Sequence, residues 1–326
     1  MSGRVNLLAG LLALQLVIIA AVLLMETGFG EPEQGAFFSF ESEEVDEIRI
    51  TGDGEDASTL ILTRTEDGWR LPDGFPADDN KVRDVLDRLT NLRSPWPVAT
   101  SSGAAERFEV TSDSFQRHVV LAAGGDTVAD LYLGTSPGYQ QVHARRADDN
   151  AVYSVGISNY QVPVAANDWL DKTLLQPKGA VSTVERLDGW RLTRTDEGWQ
   201  LGDAAADQEA ARELVRRLSE LRVTGAAEVP EEGMEPSATL AVTDEEGSYQ
   251  LALFADDEDG QYRVRSDRRE GVFSLAGYLA EQILLEREAL VAGDEPAAEA
   301  APADEAPAEE SETAPESTSE PGEPGA

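Results

Sequence analysis

The stretch Leu62-Thr-Arg-Thr-Glu-Asp-Gly-Trp-Arg-Leu71 returns later in the chain as Leu192-Thr-Arg-Thr-Asp-Glu-Gly-Trp-Gln-Leu201. In each copy, apolar and polar residues alternate on both sides of an acidic residue followed by glycine. This pattern is typical of two antiparallel strands joined by a tight turn. The repetition predicts two copies of one folding module. The residues that carry this structural repeat signature are Gly68, Trp69, Gly198 and Trp199.

The same helix pattern follows each copy of the signature. In the first copy, Asp78 or Asp79 is placed to cap the start of a helix, because a carboxylate there accepts hydrogen bonds from free backbone N–H groups. In the second copy, Asp207 occupies this position. Apolar residues then recur at helical spacing and predict one buried face on each helix: Val82, Val85, Leu86, Leu89 and Leu92 in the first, and Leu214, Val215, Leu218 and Leu221 in the second.

Strand patterns surround both helices. Before the first helix they lie at 45–50 and 59–64, and after it at 118–121, 128–133, 139–145 and 152–155. The second copy repeats the later strands at 238–242, 249–254, 262–265 and 272–275. Turn residues separate these segments, as antiparallel hairpins require. We further expect a helix over residues 169–175 to close the first copy.

These patterns predict an α+β protein with two tandem modules, each a mostly antiparallel sheet with one packed amphipathic helix. The first module is expected to span residues 44–179 and the second 180–291. From residue 292 to 326 only Ala, Glu, Pro, Ser, Thr, Asp and Gly occur. Such a composition has too little apolar surface to offset the entropy of ordering, so it predicts a disordered acidic tail.

The N-terminal residues predict a membrane anchor. Residues 5–25 are almost entirely apolar, and a helix of this length matches the ~30 Å hydrocarbon core of a bilayer. Arg4 precedes this segment and acidic residues follow it, so residues 1–4 are expected in the cytoplasm and the bulk of the chain outside. Residues 26–43 then form a juxtamembrane stalk. A cleaved signal peptide is the alternative, but no convincing small-residue cleavage site precedes Glu26.

Composition excludes several classes of function. The chain has no cysteine, which rules out disulfides, thiolate metal sites, a cysteine nucleophile and a lipidated cysteine. Its formal net charge of -37 disfavours nucleic acid as a partner. The two histidines, His118 and His143, lack the spacing of metal ligands, and no phosphate loop or nucleophile elbow is present. We therefore predict no catalytic residue, no cofactor and no metal site.

The tryptophans fall into two groups with different predicted roles, one in the core and one on the surface. Trp69 and Trp199 are expected in the core of each module, because they occupy equivalent positions ahead of the packed helix. Trp96 lies in a proline-flanked loop with no counterpart in the second module. We select it, with Arg93 and Tyr139, as a candidate contact surface. The acidic run 256–260 is better explained as a polar hairpin turn than as a calcium loop, since Ala255 stands where an EF-hand needs an acid.

Several motifs in order resemble a bacterial family, the domain of unknown function 4340. They are the apolar anchor, the strand pair, the Asp-Gly-Trp turn, the Pro-Ala-Asp-Asp helix start at 76–79 and the sequence Trp-Leu-Asp-Lys-Thr-Leu-Leu at 169–175. The resemblance covers residues 44–290. It implies an envelope component of the bacterial inner membrane that works with ABC transporters of the gliding-motility type. It supplies no catalytic residue.

The resulting hypothesis is a non-enzymatic, single-pass membrane protein that serves as an accessory or scaffold subunit of an ABC-type export complex. Its partners would be the membrane, an ABC permease and other envelope proteins. The alternative is an envelope hydrolase or glycan-binding protein with a cleft between the two modules. A structural protein that responds to cations is a third possibility.

Overall fold

The computed structural model describes residue 15 and residues 36–54, 58–93, 96–256 and 260–292. The predicted anchor at 5–25, apart from Gln15, lies outside these residues. So do most of the predicted stalk, nearly all of the acidic tail and the centre of the acidic run 256–260. Within the described ranges, no helix is long and apolar enough to span a membrane.

The first half of the chain forms a seven-stranded antiparallel sheet. The strands lie in the order β3-β2-β1-β4-β5-β6-β7. We call this sheet, with the helices α1 and α2 given below, the first module. Its strands are β1 (Glu47–Gly52), β2 (Thr59–Thr65), β3 (Gly68–Arg70), β4 (Arg117–Ala123), β5 (Asp126–Leu133), β6 (Val142–Arg146) and β7 (Tyr153–Val155).

The second half forms a nine-stranded antiparallel sheet, which we call, with helices α3 and α4, the second module. Its order is β11-β10-β9-β8-β13-β14-β15-β16-β12, so the central strands repeat the first sheet and two short strands extend its edges. The strands are β8 (Thr183–Arg186), β9 (Trp190–Thr195), β10 (Gly198–Leu201), β11 (Ala204–Ala205), β12 (Gly225–Ala226), β13 (Ala238–Asp244), β14 (Gly247–Asp256), β15 (Gln261–Ser266) and β16 (Val272–Ala276).

The helices are few and short. They are α1 (Asp79–Thr90), α2 (Ser102–Arg107), α3 (Gln208–Ser219) and α4 (Gly277–Ile283), with 3-10 turns at Asn159–Gln161, Ala166–Asp168 and Arg287–Leu290. The side chains of Asp78 and Asp207 cap α1 and α3 as predicted, each accepting two backbone N–H groups. Helices α2 and α4 were not predicted. Two mostly antiparallel sheets with few helices confirm the α+β class.

The repeated signature builds the same joint in both modules. The side chain of the first helical residue accepts a hydrogen bond from the backbone N–H of the tryptophan. Trp69 donates to Asp79 at 2.9 Å, and Trp199 donates to Gln208 at 2.8 Å. A Cβ on the preceding glycine would lie 2.6 Å from the Asp79 carboxylate in the first copy and 2.5 Å from the Gln208 amide in the second. Both glycines also have a positive φ, which favours glycine. The signature is therefore a folding element, with both tryptophans buried.

The predicted helix over residues 169–175 is wrong. Residues around Leu170 run antiparallel to those around Ala77, because the Asp78 N–H donates to the Trp169 carbonyl at 2.7 Å and the Asp171 N–H donates to Pro76 at 3.0 Å. The backbone of this segment therefore pairs with the residues at the start of α1. In a helix, the same N–H and C=O groups would bond within the segment and could not make this pairing. Trp169 is fully buried there.

The second module closes in the same way. The Asp207 N–H donates to the Leu290 carbonyl at 2.9 Å, and Ala206 bridges Val291. The duplication therefore includes a closing segment that the sequence pattern did not reveal. One continuous cluster of buried side chains includes residues of both sheets, and both modules belong to one compact unit that ends at Val291.

Candidate functional site

The loop between β3 and α1 is where the two modules differ most clearly in sequence. In the first module it reads Pro-Asp-Gly-Phe-Pro at residues 72–76, whereas the second module has Gly-Asp-Ala-Ala at 202–205. The Phe75 N–H donates to the Asp73 carboxylate at 3.1 Å, and the Gly74 N–H donates to Leu71 at 2.9 Å. These bonds fix a tight turn with a positive φ at Gly74. The turn directs Phe75 away from its own sheet.

Phe75 packs against the second module. Its ring lies 5.0 Å from the ring of Phe273 on β16, at an angle of 54°. Gly271, in the turn before β16, lies directly against the Phe75 ring, so that a Cβ at that position would overlap it. Gly271 also has a φ of 98°, which favours glycine. The contact joins the modules through an aromatic side chain that only the first module has.

Two grooves flank Phe75. The first, of about 320 Å³, is mainly apolar and is lined by residues of both modules. We call it the apolar groove. Its lining residues are Leu71, Asp73, Phe75, Ala166, Asn167, Leu170, Thr224, Gly225, Ala226 and Ser274. Its volume lies within the range of small-ligand pockets, but its open shape also suits a protein side chain or loop.

The edge strand β12 forms one wall of the apolar groove. Asn167 of the first module donates its side-chain amide to the Thr224 carbonyl at 3.0 Å. A Cβ on Gly225 would lie 2.7 Å from the amide oxygen of Asn167, so glycine allows this close approach. Ala226 is exposed at the lip of the groove. The polar groups here hold the modules together and leave an apolar surface for contact.

The second groove, of about 400 Å³, is lined by both apolar and charged residues, and we call it the arginine groove. Arg70 and Asp73 of the first module line it, with Arg268, Arg269 and Glu270 of the second. Arg268 is held by a bidentate pair with the buried Asp244, at 2.6 and 2.9 Å. Hydrogen bonds from that guanidinium hold the pKa of the Asp244 carboxyl well below its usual range.

Each histidine ring has a hydrogen-bonding partner among the neighbouring side chains. His118 contacts the Asp130 carboxylate at 2.7 Å and stacks on Tyr132, and His143 contacts the Thr135 hydroxyl at 2.9 Å. Burial lowers the pKa of His143. In the described part of the chain, no group of three acidic or histidine side chains is placed to hold a metal ion. Both rings have structural contacts.

The predicted contact surface consists of residues on separate segments. Arg93 follows α1, forms a β-bridge with Ala36 and donates to the Thr90 and Leu92 carbonyls at 3.0 Å. Trp96 is 68% exposed in the loop after α1, and Tyr139 is 90% exposed in the loop between β5 and β6. Their role as a contact surface stays a prediction.

Phe75 and the residues around it were missed by the sequence prediction. The signal that points to them is the difference between two loops in equivalent positions, because Phe75 of the first loop stands against alanines of the second. A groove between the modules was expected, but the residues that form it could not be named, because they come from Leu71 to Ser274 and meet only in three dimensions.

No curated protein and no solved structure matches this chain. A family model does match, over residues 69–236. This span begins at Trp69, within the first copy of the signature, and includes both helix starts and the whole second copy. It is shorter than the 44–290 expected from the motifs, and it confirms the family. The chain belongs to the family described as Domain of unknown function (DUF4340).

Proposed function

We propose that this protein is a non-enzymatic envelope protein, anchored by residues 5–25, that serves as an accessory or scaffold subunit of an ABC-type export complex. The apolar N-terminal segment and the acidic residues that follow it support the anchor and the outward orientation. The family resemblance supports the association with a transporter. The bulk of the chain then lies on the outer side of the bacterial inner membrane.

The apolar groove beside Phe75 is the observation that carries a binding role. Its two walls come from different modules and are fixed by Asn167 and by the Phe75–Phe273 contact. An apolar surface of this kind is typical of protein contact sites when polar residues surround it. The groove offers a partner a preformed surface, so little ordering entropy is lost on binding.

A matched pair of substitutions tests this role. Ala226 and Ala205 are both exposed alanines on edge strands of the same sheet, but only Ala226 lines the groove. We expect the wild-type full chain to co-purify with ABC permease or ATPase subunits in mild detergent. Ala226→Arg should reduce that recovery and Ala205→Arg should not. Recovery of the wild-type protein alone, in repeated experiments, would refute the proposal.

The absence of cysteine allows a clean test of topology. A cysteine introduced by Glu66→Cys would lie in the exposed turn between β2 and β3. We expect a membrane-impermeant maleimide to label it in spheroplasts. A cysteine introduced by Ser2→Cys should be labelled only after the membrane is permeabilised. The reverse pattern would place the modules in the cytoplasm.

The alternative function, a glycan-binding protein or hydrolase, is favoured by the arginine groove alone. Asp73 and Glu270 bring carboxylates from both modules to this groove beside three arginines. Such side chains can bind sugar hydroxyl groups. If this alternative holds, purified envelope glycan should retain the full chain, and Asp73→Asn with Glu270→Gln should release it. Unchanged retention of the double variant would exclude this groove as the glycan site.

A further inference from the structure

The second module contains a plug of three side chains, Tyr249, Arg268 and Asp244, on one face of its sheet. The Arg268 guanidinium lies 3.9 Å from the centre of the Tyr249 ring and binds Asp244 through two hydrogen bonds. It also donates to the Gly247 carbonyl at 3.0 Å. Asp244 is fully buried and accepts the backbone N–H of Lys178 at 2.7 Å. Tyr249 is buried, and its hydroxyl donates to the carbonyl of Leu175 at 3.4 Å.

Strand register identifies the counterpart of Tyr249 in the first module. Leu121 pairs with Ile48 on one side and with Ala129 on the other. In the second sheet, Val242 likewise pairs with Val184 on one side and with Tyr249 on the other. Because Ile48 and Val184 occupy equivalent positions in β1 and β8, Ala129 stands where Tyr249 stands. The ring is replaced by a methyl group.

The counterpart of Arg268 follows from a second register. The Ala147 N–H donates to the Asp130 carbonyl, just as the Asp267 N–H donates to Gln250. The next residue in each module is therefore equivalent, and Asp148 stands where Arg268 stands.

The acid that holds Arg268 is also missing from the first module. Ala123 pairs with Asp126 at the end of the β4–β5 hairpin, as Asp244 pairs with Gly247 in the β13–β14 hairpin. An alanine therefore replaces Asp244. All three side chains that make the plug of the second module are absent from the first.

A pocket of about 420 Å³ lies at this place in the first module. Ala129 and Asp148 line it, with Thr127 of β5 and with Phe38 and Ser39 opposite. We call it the β5 pocket.

The segment opposite β5 matches the segment that the Tyr249 hydroxyl reaches in the second module. Ala36 bridges Arg93 after the first helix, as Lys172 accepts the Val223 N–H after the second. Arg222 is the counterpart of Arg93, and Val223 lies one residue beyond it, so Lys172 lies one residue before the counterpart of Ala36. Phe38 therefore corresponds to Leu175. The β5 pocket occupies the space that the Tyr249 ring fills in the second module.

The β5 pocket also has an available strand edge. Strand β6 pairs with β5 only from Leu131 to Leu133. Along residues 127–129, within the described part of the chain, β6 does not extend beside β5. An extended peptide that binds beside such an edge gains backbone hydrogen bonds, and its alternate side chains enter adjacent pockets.

We propose that the β5 pocket binds a tyrosine-like aromatic side chain presented by an extended segment of a partner polypeptide. The space lies where Tyr249 stands in the second module, and the Phe38 ring offers an aromatic contact. Arg146 lines the pocket, held by Asp148 at 3.3 Å and Asp149 at 3.6 Å, and can lie against a π face. The acidic residues here disfavour acidic segments. This proposal does not depend on the association with a transporter.

The test uses the full chain in lipid nanodiscs and two capped tripeptides, Gly-Tyr-Gly and Gly-Leu-Gly. Saturation-transfer NMR should show contact of the tyrosine ring protons with the protein above the level given by empty nanodiscs, and less contact for leucine. Ala129→Tyr fills the pocket as the second module fills its own. We expect it to weaken binding at least about tenfold, equivalent to ~1.4 kcal/mol. Thr63→Tyr, an exposed position on β2, is the matched control and should bind as the wild type does.

A second variant keeps the test decisive if Ala129→Tyr fails to fold. Asp148 is 79% exposed, so Asp148→Arg should fold and place a guanidinium over the pocket, as Arg268 lies in the second module. It should also weaken the tyrosine signal. Equal binding by wild type and a folded Ala129→Tyr or Asp148→Arg variant would overturn the proposal. A wild-type dimer that Ala129→Tyr dissociates in sedimentation would assign the pocket to a second copy of the chain and would also overturn it.

Discussion

The two modules fill the same face of the sheet in different ways. The second module places Tyr249 and Arg268 there: Arg268 binds Asp244, and the Tyr249 hydroxyl donates to Leu175 in the segment between the two sheets. The first module has Ala129 and Asp148 at these positions and leaves a pocket. Where both copies need the same core contact, the sequence has stayed nearly identical. Where the copies differ, one is closed by its own residues and the other is open to solvent.

The modules also differ in how their last strands are covered. In the first module, Tyr153 on β7 packs against Phe37 from the segment before the sheet, at 5.3 Å. In the second, Phe273 at the equivalent place packs against Phe75, which the first module supplies. Each module is therefore completed by an aromatic residue that comes from earlier in the chain. The contact between Phe75 and Phe273 links the two sheets, which share one buried cluster.

The largest expected effect tests what the modules have in common. Trp69→Ala and Trp199→Ala should each lower the free energy of unfolding by ~3 to 5 kcal/mol, since both rings are buried beside a packed helix. Chemical denaturation of the full chain measures this. Trp96→Ala is the control and should change stability by less than ~0.5 kcal/mol, because the ring is mostly exposed. A Trp199→Ala variant of undiminished stability would contradict the core role of this ring and make the signature a candidate binding site.

The second prediction tests where the modules differ. Arg268→Ala should cost about 3 kcal/mol, because it leaves the buried Asp244 carboxylate without its cation. Asp148→Ala, at the equivalent position, should cost less than ~0.5 kcal/mol. Similar losses in both variants would contradict the difference between the two faces.

The same pair gives the protein a pH dependence. Arg268 lowers the pKa of Asp244 in the folded state below that of an unfolded carboxyl, which is about 4. The stabilisation is therefore fully present above pH ~4 and is lost as the pH falls towards the folded pKa. Arg268→Ala should make unfolding less sensitive to acid in this range. Thermal unfolding followed from pH 7 down to pH 3 measures the effect.

Local patterns predicted the parts of the fold that depend on local chemistry. The caps at Asp78 and Asp207, the apolar helix faces and most strands follow from the residues of each segment alone. Residues 169–175 were predicted as a helix that closes the first copy. Their backbone instead pairs with residues 76–78, which are distant in sequence, and such a tertiary contact overrides local propensity.

The candidate sites could be predicted only in part. The duplication allowed a groove between the modules to be predicted. The part that Phe75 plays in it follows only from the structure, where its ring packs against Phe273. The β5 pocket depends on strand register, because Ala129 and Asp148 correspond to Tyr249 and Arg268 only after β5 and β14 are aligned by their pairing partners. An extra residue at the bulge near Ala122 shifts this alignment, so spacing in the sequence alone does not give it.

A smaller effect tests the shared joint at the signature. Gly68→Ala and Gly198→Ala should each cost ~1 to 3 kcal/mol, since both glycines have a positive φ and lie against the first side chain of the helix. Gly103→Ala in α2 is the control, because it has open space and helical backbone, and it should be neutral or stabilising by up to ~1 kcal/mol. Adding Asp79→Ala to Gly68→Ala removes the contact but not the backbone strain. We therefore expect it to restore little stability.

The smallest expected effect concerns the caps of the two helices, α1 and α3. Asp78→Ala and Asp207→Ala each remove a carboxylate that accepts two backbone N–H groups, and each should cost ~1 kcal/mol. Asparagine keeps the cap but loses the charge. Asp78→Asn should cost slightly more than Asp207→Asn, because Asp78 favours the charged form of Lys81, whose ammonium lies 4.9 Å from the Trp169 ring. Equal effects of the two asparagine variants would show that this charge contributes nothing to closing the first module.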